Sequence, residues 1–157
     1  MNHDIDSRPI VVEQVYDAPV EVVWKAITDE QQMPRWFFPT IERFEARIGF
    51  ETRFVVDAEG ELYEHVWTVT EVVPHEKITY QWRYEHIPGD SIVEWELSPT
   101  SEGTRLTLTH TGHETFPRDN PVFAREAGVQ GWTYFLQGSL KAFLDDPGSD
   151  LSRSTSP

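Results

Sequence analysis

From Phe50 to His110 the chain alternates apolar and polar residues with a period of two, five times over. Phe50, Thr52, Phe54 and Val56 alternate with Glu51, Arg53 and Asp57, and Tyr63, His65, Trp67 and Val69 with Glu64, Thr68 and Thr70. Ile78, Tyr80, Trp82 and Tyr84 alternate with Thr79, Gln81 and Arg83. Val93, Trp95 and Leu97 follow with Glu94 and Glu96 between them, then Leu106, Leu108 and His110 with Arg105, Thr107 and Thr109. Alternation of this kind puts one set of side chains on one face of a sheet. The runs are separated only by turn signals: Ala58-Glu59-Gly60, Pro74-His75-Glu76, Pro88-Gly89-Asp90 and Ser101-Glu102-Gly103. Parallel strands need crossovers of about a dozen residues, so these strands form an antiparallel meander. One face meets water, and the other is apolar and unusually aromatic.

That apolar face has to be covered. Val129, Trp132, Leu136, Leu140 and Phe143 step by 3, 4, 4 and 3, a single helical stripe that predicts a helix over Val129–Leu144. Asn120-Pro121 offers a cap and a first-turn proline ahead of it, Gly128 and Gly131 interrupt its start, and Asp145-Asp146-Pro147-Gly148 ends it. At the other end, Ile10–Tyr16 reads as a strand. Pro19 then opens a helix capped by Asp17 or Ala18, with Val20, Val23, Trp24 and Ile27 on one face. Asp29 begins a second short helix ending at Arg35-Trp36-Phe37-Phe38-Pro39, whose regularity Pro34 limits. The expected architecture is α+β: an antiparallel sheet curved around a long C-terminal helix, with two short helices after the first strand. It spans residues 10–145, between a flexible N-terminus over 1–9 and a disordered tail over 146–157 rich in Ser, Pro, Gly and Asp.

Charge narrows the partners. With 27 acidic against 13 basic residues the net charge is -14, a field that repels nucleic acid and anionic membrane surfaces. The chain has no cysteine, which removes disulfides, thiolate metal sites and cysteine nucleophiles and fits a cytoplasmic location. No signal peptide is visible and no apolar run nears the ~18 residues a span requires, so membrane insertion is not expected.

The inward aromatics Phe54, Trp67, Tyr80, Trp82, Trp95 and Trp132 are candidates to line a ligand cavity rather than fill a solid core. Trp36 and Phe38, in the cluster between elements, are expected near its mouth. His65 and His110 lie on the inward phase of their strands. A histidine on an apolar face is more commonly a hydrogen-bonded core residue. For a ligand bearing a carbonyl or hydroxyl, these two are the expected polar contacts, with Tyr63, Tyr84 and Tyr134 as lesser candidates. His110-Thr111-Gly112-His113-Glu114 suggests a metal at first sight, yet residues i and i+3 of a strand point to opposite faces unless Gly112 bends the chain sharply. With no third ligand at a recognisable spacing, no metal is expected. There is no phosphate loop, dinucleotide fingerprint or nucleophile elbow, hence no expected cofactor.

Several ordered fragments carry a family resemblance. Val11–Glu13 leads into Asp17-Ala18-Pro19-Val20-Glu21-Val22-Val23-Trp24-Lys25-Ala26-Ile27-Thr28-Asp29 and then Arg35-Trp36-Phe37. Val69-Thr70-Glu71-Val72-Val73-Pro74-His75-Glu76-Lys77-Ile78-Thr79-Tyr80-Gln81-Trp82, Gly103-Thr104-Arg105-Leu106-Thr107-Leu108-Thr109-His110 and Gly131-Trp132 follow. Together they resemble the START-like superfamily, in the branch named for the C-terminal domain of the activator of the ninety-kilodalton heat-shock chaperone ATPase. The resemblance implies a helix-grip fold with a deep cavity between sheet and final helix, used across the superfamily for lipids, sterols, polyketides and quinones. The co-chaperone that names the branch carries a further large N-terminal domain with no counterpart in these 157 residues, so chaperone activation is not expected of them. The expected function is binding of a small apolar ligand, aromatic, lipid or isoprenoid-like, by a carrier or sensor. Two alternatives stand beside it. One is a cyclase- or dehydratase-type enzyme in which a histidine or tyrosine moves a proton. The other is a protein-interaction module using the acidic outer surface. A homodimer is compatible with all three.

Overall fold

The structure, a computed structural model, describes residues 7–146. The terminal segments expected over 1–9 and 146–157 lie outside the described residues except for residues 7–9 and 146. Strand β1 (Ile10–Tyr16) is followed by helices α1 (Val20–Thr28) and α2 (Met33–Trp36), then by strands β2 (Glu51–Ala58), β3 (Glu61–Val73), β4 (Lys77–Tyr84), β5 (Ile87–Thr100) and β6 (Gly103–Thr111). Five successive antiparallel pairings give the order β1-β6-β5-β4-β3-β2. The last strand of the expected meander also pairs with β1, from Ile10↔His110 to Tyr16↔Thr104, so that β1 and β2 form the two edges. Helices α1 and α2 carry the chain from one edge of the sheet to the other.

Alternation fixes the inner face. His65, Trp67 and Val69 of β3, Ile78, Tyr80 and Trp82 of β4, Val93 and Trp95 of β5 and Leu106, Leu108 and His110 of β6 are all buried. The pairing register sets them in transverse rows. Phe54 faces His65, which faces Tyr84; Trp67 faces Trp82, which faces Ser91; Tyr80 faces Val93, which faces His110. The register shifts between Trp82 and Tyr84, one of two irregularities that bend these long strands.

One turn differs from expectation. Pro88-Gly89-Asp90 lies inside β5, and the hairpin turns at Glu85-His86, with His86 in the left-handed region at φ 67. Gly89 serves a close approach instead: at φ 118, a Cβ there would meet Phe116 Cδ1 at 2.4 Å and the Thr115 carbonyl at 2.8 Å.

The covering helix is one continuous segment of three kinds. It starts at α3 (Arg125–Thr133), four residues before the expected Val129, after a short 3₁₀ turn at Pro121–Phe123 capped by Asn120. It then widens to a π stretch at Tyr134–Ser139 and finishes as α4 (Leu140–Asp145). The i→i+5 bonds of the π stretch widen the turn and keep Trp132, Leu136 and Leu140, spaced by fours, all buried on the sheet side. The Tyr16 hydroxyl donates to the Leu136 carbonyl at 2.6 Å, and the Ser139 hydroxyl to the Trp36 carbonyl at 2.5 Å. These bonds tie the π stretch to β1 and α2. No helix among the described residues is long and apolar enough to cross a membrane.

Candidate functional site

Between the helix and one end of the sheet lies a cavity of about 260 Å³. Its walls come from β2 and β3 (Val56, Ala58, Tyr63, His65), β4 (Trp82, Tyr84) and β6 with the turn after it (His110, His113, Phe116). The 3₁₀ turn (Val122, Phe123, Ala124) and the helix (Gly128, Gly131, Trp132, Phe135) complete them, with Ile10 and Phe38. Two glycines thin the helix here for different reasons. A Cβ on Gly128 would meet Ile10 Cδ1 at 2.7 Å, whereas one on Gly131 would meet nothing within 4 Å. Gly131 therefore borders open space.

Of the ten candidates, Phe38, His65, Trp82, His110 and Trp132 stand in the cavity wall. Trp36, Phe54, Trp67, Tyr80 and Trp95 do not. They form a packed aromatic core beside it, in which Trp67 stacks on Tyr80 at 4.8 Å and the Trp95 indole donates to the Tyr80 hydroxyl at 3.0 Å. Trp36, expected near the mouth, is 2 % exposed, stacks on Phe37 and donates its indole N–H to the Ala26 carbonyl at 2.8 Å. Of that cluster only Phe38 reaches the wall. The lesser candidates divide as well: Tyr63 and Tyr84 line the cavity, while Tyr134 is 64 % exposed. Phe116, Phe123, Phe135 and Gly131 were not legible as site residues. The first two lie on a non-periodic segment and Phe135 lies off the helical stripe. The signal from Gly131 was a missing side chain.

The two histidines differ in what they leave unpaired. The Trp132 indole N–H donates to His110 Nδ1 at 3.1 Å, so Nδ1 is the bare nitrogen and Nε2 carries the proton. Nε2 then donates to the Ser91 hydroxyl at 2.9 Å, and that hydroxyl donates to the Trp82 carbonyl at 2.7 Å. Both nitrogens are occupied. Burial, with the neighbouring His113 second, holds His110 down at about 3. His65 is the reverse case. Its Nδ1 lies 3.1 Å from the Tyr63 carbonyl, which can only accept, so Nδ1 carries the proton and Nε2 is a bare acceptor. Nε2 has no hydrogen-bond partner among the described residues. Burial lowers His65 to about 4, partly offset by the Tyr63 bond, so both imidazoles are neutral at pH 7.

The sharp bend at Gly112, the condition for His113 to join His110, is present. Gly112, in the left-handed region at φ 89, does bend the chain, and a Cβ there would meet the Asp90 carbonyl at 2.7 Å. The bend starts a 3₁₀ turn at His113–Thr115 and brings His113 to the same cavity as His110, ring centroids 6.3 Å apart. Even so, no group of three or more His, Asp or Glu among the described residues could hold a metal ion.

Comparison with known proteins agrees with this fold. The family described as "Activator of Hsp90 ATPase homolog 1-like protein" matches residues 17–145. No protein with a curated description matches. Among solved structures, CalU16 from Micromonospora echinospora is 31 % identical, with 94 % of this chain and 82 % of that one covered at a TM-score of 0.63. Protein CV1439 from Chromobacterium violaceum is 26 % identical over 88 % of this chain and 97 % of its own, at a TM-score of 0.70. DynU16, a protein in the dynemicin biosynthetic locus, is 25 % identical at a TM-score of 0.71. This chain, 92 % covered, spans 49 % of DynU16.

Proposed function

The chain belongs to the activator-of-Hsp90-ATPase-homolog-1-like family, a branch of the START-like superfamily, and from that premise we propose that it binds a small hydrophobic ligand in this cavity as a cytoplasmic carrier or sensor. The carrying observation is a preformed space whose wall is almost wholly aromatic and aliphatic and offers few unpaired polar atoms. Size restricts the ligand. An engineered cavity of about 150 Å³ takes one benzene. By proportion, 260 Å³ takes roughly ten non-hydrogen atoms, a bicyclic aromatic or a short terpenoid rather than a sterol. The net charge of -14 disfavours anionic ligands.

Binding is favoured over proton transfer by the state of His65 and His110. A general base works best with a pKa near the operating pH. His65 is held near 4, and both nitrogens of His110 are already engaged.

The test fills the cavity without touching its aromatic wall. Gly131→Leu projects a side chain into open space and replaces glycine by a better helix former, which favours the helix by up to about 1 kcal/mol. Naphthalene titrated against tryptophan fluorescence is expected to bind the parent protein at one equivalent and to lose that binding in Gly131→Leu, whose stability is kept or raised. No saturable binding by the parent, or undiminished binding by the variant, refutes the reading.

A further inference from the structure

We propose that the cavity selects ligands bearing a hydroxyl on an apolar ring or chain, phenols above all, with His65 Nε2 accepting the hydroxyl proton and the Tyr84 hydroxyl donating to the hydroxyl oxygen. This deepens the reading above and rests on it.

The acceptor comes from the fixed tautomer of His65. Because the Tyr63 carbonyl takes the Nδ1 proton, the neutral ring has only a lone pair left at Nε2. The ring is not free to seek another partner. Phe54 stacks on it with centroids 4.8 Å apart and planes 17° apart, and Phe38 lies at 5.1 Å. The donor comes from Tyr84. The Trp82 indole N–H donates to the Tyr84 oxygen at 2.9 Å, which leaves the tyrosine's own proton with no acceptor among the described residues. The His65 and Tyr84 rings meet edge to face at 4.7 Å, so the acceptor and the donor belong to neighbouring side chains of a mostly apolar wall that Tyr63, His110 and His113 share.

A hydroxyl is the small neutral group that complements both. A ketone or ether oxygen accepts from Tyr84 and leaves the imidazole lone pair without a donor. A carboxylate sets its charge against that lone pair in a desolvated site of an acidic protein. His110 adds nothing to the selection, because Trp132 and Ser91 already occupy its two nitrogens.

The experiment is a matched series of naphthalene, 2-naphthol, 2-methoxynaphthalene and 2-naphthoate, titrated against the whole chain at pH 7.5 by calorimetry. 2-Naphthol is expected to bind roughly tenfold more tightly than naphthalene or the methyl ether, the effect of about one retained hydrogen bond, with 2-naphthoate weakest. In His65→Phe the preference for the naphthol over its ether is expected to vanish. Tyr84→Phe keeps the ring and is expected to reduce the preference. Equal affinities for the naphthol and its ether in the parent protein overturn the hydroxyl proposal and leave the cavity reading standing; binding by none of the four overturns both. Should His65→Phe fail to fold, the parent series and Tyr84→Phe still decide, and a folded His65→Phe that keeps the full preference overturns the proposal.

Discussion

Two buried neutral imidazoles make the stability of this fold depend on pH in a window where carboxylates are still ionised. In the folded chain burial lowers His65 to about 4 and His110 to about 3; unfolded, both return to about 6.5. A depressed folded value means that the unfolded state binds the extra protons. Stability is therefore full above about pH 6.5 and is lost as pH falls through 6.5 toward the folded values. By pH 5 each unfolded imidazole carries nearly a full proton that its folded counterpart refuses. Integrated from pH 7 to 5, the loss is about 2 kcal/mol per histidine and about 4 kcal/mol for the pair. For a chain of this size that lowers the melting temperature by about 10 °C. Relief of the -14 net charge by carboxylate protonation sets in mainly below about pH 5, so it does not mask the effect.

The assay is urea unfolding followed by far-UV circular dichroism at pH 7, 6 and 5. His65→Phe is expected to halve the slope, since it removes one of the two titrating groups. A stability that is flat from pH 7 to 5, or a His65→Phe variant with the parent's full slope, refutes the assignment of both rings as buried and neutral.

Trp67→Ala and Trp82→Ala separate packed core from cavity wall. Trp67 is fully buried away from the cavity, so its loss is expected to cost about 3–5 kcal/mol by chemical denaturation, and that of Trp82, which borders open space, measurably less. Equal costs would mean that the void is filled in solution. Gly103→Ala is expected to destabilise by more than about 2 kcal/mol, read as a fall in melting temperature, because at φ 145 the new Cβ would meet the Tyr16 carbonyl oxygen at 2.0 Å and force β1 off β6. A melting temperature within a degree or two of the parent's would refute that close approach.

Much of the frame was legible because period and burial are coupled. β1 runs from Ile10 to Tyr16 as its pattern predicts, and Trp132, Leu136 and Leu140 bury the face that their spacing marks. The spacing by fours was also the trace of the π stretch, though alone it cannot be told from a drifting α-helix. The β4–β5 turn falls away from its signal because Pro88-Gly89-Asp90 carries turn chemistry while its glycine serves a close approach to Phe116 inside a strand. The site was half legible for a related reason. A period of two says which face a side chain occupies but not how far along the sheet it sits, and that height separates His65 and Trp82 in the cavity wall from Trp67 and Trp95 in the packed core. Which histidine keeps a free nitrogen depends on partners as remote as Trp132, 22 residues from His110, and no local pattern carries that.

Why the space stays open follows from the same bonds. A void in a protein interior tends to close, since filled cores lose about 24 cal/mol for each Å³ left empty. For 260 Å³ that is at most about 6 kcal/mol, comparable with the whole stability of many domains, and less where water enters. Collapse would need the wall to move inward, and the wall is held by directed bonds. Trp82 is anchored through Tyr84, Trp132 through His110 and Ser91, and the imidazole of His65 through the Tyr63 carbonyl and the Phe54 stack. Each anchor fixes an aromatic plane that would otherwise tilt into the gap, and breaking one leaves a buried polar atom unsatisfied at about 1–3 kcal/mol. On the helix side, Gly131 supplies no atom to fill it. The two histidines that were candidates for contacting a ligand thus have different roles. With both nitrogens bonded, His110 holds the cavity's shape, whereas His65 bonds through Nδ1 alone and keeps its Nε2 lone pair without a partner among the described residues.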